Sequence, residues 1–372
     1  SLVTKKALKT MPGLTVHGAI SSKITDKTAK SLHEAVREVH IKLETIRYQI
    51  LSNLQRFQRI PFVAECQTSN LPAKELYKHP SLPKEEKKEP HSLVSITKQT
   101  VMKEGKDRLE KTIRDIKPEI FKFDEQEEDG NFAKNPHRLD VEERFRKTKW
   151  FAVIHADGNG LGQLFLDFQK ETGTEKAGDY IDKYRKFSLE LDNACVNAVA
   201  YALENLQKKY FENQPEKSNS KNKLAVPAIP LVLGGDDLTI ICDGEYAIKF
   251  AKDFLTEFVE ETKRITDIFK EEKKLGICAG IAIIKPHFPF HQAYDLAEQL
   301  LQSAKKTKQI SPSLSAFDYH VLYDSSGTTL EEIREKTPFV ARPYVVTPHE
   351  GALKTTNDES KKEWIKNHHF NE

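Results

Sequence analysis

Two apolar runs, residues 228–233 (AIPLVL) and 238–242 (LTIIC), are separated only by Gly234-Gly235-Asp236-Asp237. A spacer this short between two stretches of strand length leaves room for a tight reversal, so the segment reads as a β-hairpin. An isolated hairpin is marginal in water, so further strands and covering helices must lie nearby in the chain.

The flanking sequence supplies them. Residues 150–156 (WFAVIHA) form a short apolar run that ends at glycines, a buried strand with Asp157 at its carboxy-terminal tip. Helical segments come next at 163–170 and 177–209, where Tyr184, Phe187, Leu191, Cys195, Val199 and Leu206 recur at helical spacing. After the hairpin come an amphipathic helix over 246–268, with Phe250, Phe254, Phe258 and Val259 on its apolar stripe, and a strand over 276–284. A helix over 290–307 and a closing strand over 316–322 complete the run. The order β-α-α-β-β-α-β-α-β is that of an α+β fold, a ferredoxin-like palm domain with helical additions.

A chain of 372 residues exceeds the usual single core, so two folding units are expected. Polar, lysine- or acid-rich stretches at 78–90, 123–136 and 214–223 read as loops or linkers. Residues 12–20 (PGLTVHGAI) and the helix 30–51 parallel residues 275–284 and the helix after them, a faint internal repeat. The expected organisation is a partial second palm-like unit with a helix at 1–77 and a partly disordered linker or insertion at 78–149. The palm occupies 150–345 and a tail 346–372.

Charged residues make up 31%, hydrophobic residues 38%, and the net charge is +2, which describes a heavily solvated globular protein and gives no sign of non-specific nucleic-acid binding. Cys66, Cys195, Cys242 and Cys278 lie far apart, with no C-x-x-C pair, and are read as reduced thiols of a cytoplasmic protein. No apolar run approaches the roughly 20 residues that span a bilayer, so no membrane partner is expected. The chain opens at Ser1 without a methionine, which is compatible with removal of an upstream region.

Nucleotide polymerisation asks for two divalent cations about 4 Å apart, one activating a 3′-hydroxyl and one steadying pyrophosphate. Asp157, Asp236 and Asp237 offer up to six hard oxygens for Mg²⁺ or Mn²⁺, in a set that repels itself without a cation. Taken alone, Gly-Gly-Asp-Asp is equally compatible with a simple turn. The second element shifts the balance. Gly158-Asn159-Gly160-Leu161-Gly162 stands between a strand and a helix, where backbone N–H groups can cradle a triphosphate and the glycines let the main chain approach it. Gln163 stands where a dinucleotide fingerprint needs its third glycine, and no Walker A sequence occurs.

Other residues carry weaker signals. Lys305 and Lys306 close the helix that begins near residue 290, where a lysine could reach phosphates or simply complement the helix dipole. His155 faces the same side of its strand as Asp157 and either lines the site or is a hydrogen-bonded structural residue. Arg47, Arg56, Arg59 and Glu65 either bind phosphates or pair with one another.

HADGNGLG, LVLGGDDL, GIAII and AEQLLQSAKK together resemble the palm domain of the large polymerase-like subunit of type III CRISPR effector complexes, itself related to GGDEF cyclases. The resemblance covers about residues 150–323. It implies a cyclic oligonucleotide synthase that converts NTP, with ATP favoured, into cyclic oligoadenylate in antiviral signalling. It implies Asp157, Asp236 and Asp237 as catalytic metal ligands for two Mg²⁺ or Mn²⁺ ions, and Gly158, Asn159, Gly160, Leu161, Gly162, Gly234, Gly235 and Lys305 as nucleotide-binding. RNA, effector-complex subunits, a paired palm or a second copy are the partners it implies.

The departures are definite. No His-Asp dipeptide is present, so no DNA cleavage is expected, and neither a Cys-rich zinc element nor a long carboxy-terminal helical domain is visible. A compact stand-alone relative fits the length better. Two alternatives stand beside the cyclase reading: a non-catalytic nucleotide-binding palm that scaffolds a nucleoprotein complex, and a GGDEF-type diguanylate cyclase, against which Asp237-Leu238 in place of Glu-Phe argues.

Overall fold

The structure is a computed structural model that describes residues 6–7, 9–11, 13–14, 16–22, 24, 26–49, 57–78, 87–117, 148–213, 227–270, 274–286, 288–323, 330–336, 341–347 and 349–370. The chain divides into two units. One takes in the first 108 residues with short later pieces, and the other most of the chain beyond residue 144.

In the first unit, helix α1 (Ala29–Gln49) starts where the Thr28 hydroxyl accepts the N–H of Ser31 at 3.2 Å, satisfying a donor that the helix itself leaves over. Strands β1 (Glu75–Tyr77) and β2 (Glu89–His91) pair antiparallel, and Ser92 caps the start of α2 (Leu93–Ile116) through the N–H of Ser95. The strand half of the expected repeat is not there: residues 13–14 and 16–20 form no strand. The helix half corresponds to α1. Arg59 pairs with Glu65 at 3.3 Å, so mutual pairing accounts for these two. Arg56 and the Arg47 side chain lie outside the described residues, as do most of the linkers expected at 78–90, 123–136 and 214–223.

The second unit is built on a sheet of six strands: β3 (Phe151–Gly158), β4 (Ala228–Gly234), β5 (Asp237–Asp243), β6 (Ile277–Ile284), β7 (Ala316–Val321) and β8 (Tyr344–Val345), in the order β4-β5-β3-β6-β7-β8. The first four neighbours are antiparallel, and β6 and β7 run parallel. Placing β5 between β4 and β3 is the split arrangement of a ferredoxin-like palm, the expected fold class. Between β3 and β4 come α3 (Leu161–Leu166), α4 (Phe168–Thr172) and α5 (Ala177–Glu212). Helix α6 (Ala247–Thr262) precedes β6, and α7 (Phe290–Ala304), continued by a 3₁₀ turn over Lys305–Gln309, joins β6 to β7. Helix α8 (Leu330–Lys336) lies between β7 and β8 in the chain.

Every residue of β6 is buried, because helices cover both of its faces. Phe250, Phe254 and Phe258 of α6 face the core, as their spacing predicts. Asn197 and Asn205 of α5 donate to Glu261 and Asp253 of α6 at 2.7 and 3.2 Å, holding those helices side by side. On the other face, Cys278 and Ala316 pack against Leu301 and Ala304 of α7. A Cβ at Gly280 would overlap the backbone of α7, so this close approach requires glycine.

The expected tail is folded. Strand β8 pairs with β7, and α9 (His349–Leu353) and α10 (Glu359–His368) bring Ala352 and Ile365 against Leu314 and Val345. Only Ile365 and His368 of α10 are buried, too sparse an apolar stripe to recognise in a polar sequence. All four cysteines are buried and none forms a disulfide. Among the described residues no helix is long and apolar enough to cross a membrane.

Candidate active site

Asp157 is the penultimate residue of β3, and the β3–β5 register pairs Ala156 with Leu238 and His155 with Thr239. Side chains two apart on a strand share a face, so Asp157 lies on the face of His155 and Asp237 on that of Thr239. The face is the one covered by α7. His155 donates to or accepts from the Thr239 hydroxyl at 3.0 Å, and its Nε2 meets Glu298 of α7 at 3.0 Å. His155 is therefore a hydrogen-bonded tie between β3, β5 and α7.

The hairpin turn is tighter than its spacer suggests, with only Gly235 and Asp236 outside the strands. Gly235 has φ +63° and Asp236 does not share the positive φ, the pattern of a type II′ turn. Its N–H donates to Asp192 of α5 at 2.7 Å, which anchors the turn from below. Asp236 reaches back to β3, where its Oδ2 accepts the Gly158 N–H at 3.2 Å. Any Cβ at Gly158 would overlap the Asp236 carboxylate and Leu161, so the contact between turn and strand depends on glycine there. Burial, followed by the neighbouring Asp237, raises the Asp236 carboxyl pKa, while hydrogen bonds and Lys308 oppose that rise.

Lys305 forms an ion pair with Asp157, both side chains being mostly shielded from solvent. Burial first and Lys308 second lower the Lys305 pKa to about 8. Asp157, Asp236, Asp237, Lys305 and Lys308 thus collect at one end of the sheet. Gly234 ends β4 at the same turn, whereas Lys306 is exposed.

Two N–H groups of the expected phosphate cradle are engaged within the protein. The Gly158 N–H is taken by Asp236, and the Asn159 N–H donates to the Gly276 carbonyl at 2.8 Å. The Asn159 side chain donates to the Leu314 carbonyl at 2.7 Å, so this buried residue fastens the loop. Gly160, with φ +70°, starts α3, and the N–H groups of Leu161 and Gly162 in the first turn have no acceptor within the helix. Phe165, Phe168, Tyr180, Tyr184 and Phe187 pack ring against ring behind this loop.

The carboxylates fit a divalent cation by chemistry, being hard oxygen donors close enough for Asp237 to disfavour ionisation of Asp236. They are not preassembled. Among the described residues no three Asp, Glu, His or Cys side chains are grouped to hold a metal ion as they stand. Asp157 is paired instead with the ammonium of Lys305.

Asp192 and Lys308 were not singled out from the sequence. Lys308 lies three residues after Lys305, which a 3₁₀ turn brings to the same side. Asp192 flanks the apolar stripe of α5 next to Leu191 and carries no signal that separates it from other helix carboxylates.

A family model described as Cas10/Cmr2, second palm domain, matches residues 150–311. No curated protein matches the chain. Among solved structures, the chain is similar to Csm1 of T. onnurineus at 14% identity and a TM-score of 0.30, covering 48% of this chain and 22% of that one. It is similar to a Csm1-Csm4 cassette in complex with cA4 at 13% identity and a TM-score of 0.30, covering 51% and 24%. The active GGEEF domain of a diguanylate cyclase from Vibrio cholerae matches at 14% identity and a TM-score of 0.25, covering 45% and 83%. The matched part thus spans about a quarter of the Csm1 chain in the cassette. The segment that this family model matches, residues 150–311, contains the split antiparallel arrangement of β3 to β6 and the Gly-Gly-Asp-Asp turn at its end.

Proposed function

We propose that the chain is a metal-dependent nucleotidyltransferase that joins NTPs, ATP first among them, into a cyclic oligonucleotide messenger. The observation that carries this reading is the meeting of two sequence-distant acidic elements: Asp236 bonds to the residue after Asp157, and Asp237 directly precedes Leu238, which pairs with Ala156. The choice of ATP and of a cyclic product rests on the family resemblance.

In this reading Asp157, Asp236 and Asp237 hold Mg²⁺ or Mn²⁺, which when bound lowers the pKa of a 3′-hydroxyl and neutralises pyrophosphate. Lys305 and Lys308 bind the triphosphate, and the N–H groups of Leu161 and Gly162 orient it. Asp192 keeps the turn in place by accepting from Gly235. A second nucleotide enters from a paired palm, contributed by another copy or by a partner subunit. RNA or an effector complex is the proposed activating partner.

A palm that binds nucleotide without turnover is the second reading. It is favoured by the engagement of Asp157 with Lys305, which removes a ligand oxygen from the acidic set. Incubating the full chain with Mn²⁺ or Mg²⁺ and each NTP, with and without RNA, and identifying products by mass separates the two. A phosphodiester product that disappears in Asp236→Ala/Asp237→Ala supports the transferase. Nucleotide binding with no product under any of these conditions supports the scaffold.

A further inference from the structure

The end of α7 that carries Lys305 is gripped on its far side by one side chain. Arg334, on helix α8, donates from Nη1 to Ser303 Oγ at 2.7 Å and from Nη2 to Asp318 Oδ2 at 2.6 Å. Asp318 lies on β7 opposite Gly280, in the same row as His155, and is fully buried. Its Oδ1 has no hydrogen-bond partner. A carboxylate in that position needs a cation, since a buried charge without one is strongly unfavourable.

Neutralising Asp318 would be satisfied by any cation that reaches it. The second bond does something else, because Ser303 is a buried residue of α7 two positions before Lys305. Near the middle of α7, His155 and Glu298 tie the helix to β3. The helix is thus attached at two points, and Lys305 projects just beyond the second.

We propose that Arg334 is a positioning residue for Lys305: by bridging Asp318 and Ser303 it fixes the last turn of α7, and with it the ammonium that meets Asp157. The role assigned to that ammonium rests on the proposed function, in which Lys305 binds phosphate. Arginine suits the task because its planar fork donates to two groups in fixed geometry, whereas lysine is a single flexible point charge.

The test uses the full chain with Ser303→Ala, which removes only the link to α7, and Arg334→Lys, which keeps a cation for Asp318 without the fork. Amide hydrogen exchange of residues 305–309 is measured on the protein alone, and affinity for a non-hydrolysable ATP analogue is measured with Mn²⁺. Both variants are expected to speed exchange at 305–309 while leaving β6 protected, and to weaken analogue binding about tenfold. Adding Lys305→Ala to Ser303→Ala should cost nothing beyond Lys305→Ala alone, the non-additivity of groups acting through one contact. Unchanged exchange and affinity in Ser303→Ala, or losses that add in full to those of Lys305→Ala, would overturn the proposal. Should Arg334→Lys fold poorly, Ser303→Ala decides by itself. If Lys305→Ala leaves affinity untouched, the phosphate role of Lys305 is wrong, and exchange at 305–309 still decides whether Arg334 fixes the turn.

Discussion

Lys305 and Asp157 form an ion pair across the end of the palm sheet, which in the proposed mechanism competes with metal for one Asp157 oxygen and with triphosphate for the ammonium. A cation alone must displace the ammonium, and a triphosphate alone must draw Lys305 from its carboxylate. When both arrive, the pair is parted once for two ligands. Metal and nucleotide should therefore bind with positive coupling, typically 5- to 150-fold, or about 1–3 kcal/mol. Calorimetric titration of Mn²⁺ with and without a non-hydrolysable ATP analogue measures it. Lys305→Ala is expected to bind Mn²⁺ more tightly than wild type in the absence of nucleotide and to lose most of the coupling.

Asp236 is held with its ionised form disfavoured, by burial and then by Asp237. Asp236→Asn can still accept from the Gly158 N–H, yet it removes the repulsion. In metal-free buffer the variant should be more stable than wild type, by on the order of 1 kcal/mol, while losing product formation. Denaturant midpoints with EDTA and the mass assay give the two halves of that result.

The loop glycines separate into two kinds. Gly158→Ala forces a Cβ into Asp236 and Leu161 and should destabilise the fold by about 1–3 kcal/mol. A Cβ at Gly162 would meet no atom within 4 Å, and Gly162→Ala should leave the stability within about 1 kcal/mol of wild type. Thermal unfolding of the two variants side by side checks the contrast.

The His320 pKa is lowered from 6.5, chiefly by burial and then by Arg342 and Arg334, with Asp318 opposing. A histidine with a depressed folded pKa binds fewer protons folded than unfolded, so stability is fully present above pH 6.5 and declines as pH falls toward the folded value. His320→Gln should flatten that acid limb without moving the plateau above neutrality. Urea midpoints measured from pH 5 to pH 8 test the sign.

Much of the palm was legible because its strands are long apolar runs bounded by glycine, and the aromatic stripe of α6 repeats at helical spacing. The carboxylates could be named for a similar local reason, since Asp157 and Asp236 each sit beside a glycine where a strand gives way to a turn or loop, and Asp237 follows directly. Engagement was not legible. Nothing in Gly158-Asn159 announces that the Asn159 N–H will donate to Gly276, or that Asp236 will take the Gly158 N–H, because those partners are set by long-range pairing. The same holds for Lys305 on Asp157 and for Arg334 on Asp318. The 346–372 segment escaped because a short helix can be docked by Ile365 and a few neighbours without a continuous stripe.

Anomalous scattering from crystals of the chain grown with Mn²⁺ and a non-hydrolysable ATP analogue tests the metal site most directly. The expected map has manganese at direct-ligand distance, about 2.1 Å, from Asp157 and from Asp236 or Asp237, with Lys305 moved onto phosphate oxygens. Manganese held by the nucleotide alone, with Lys305 still paired to Asp157, would contradict the proposed two-element catalytic centre.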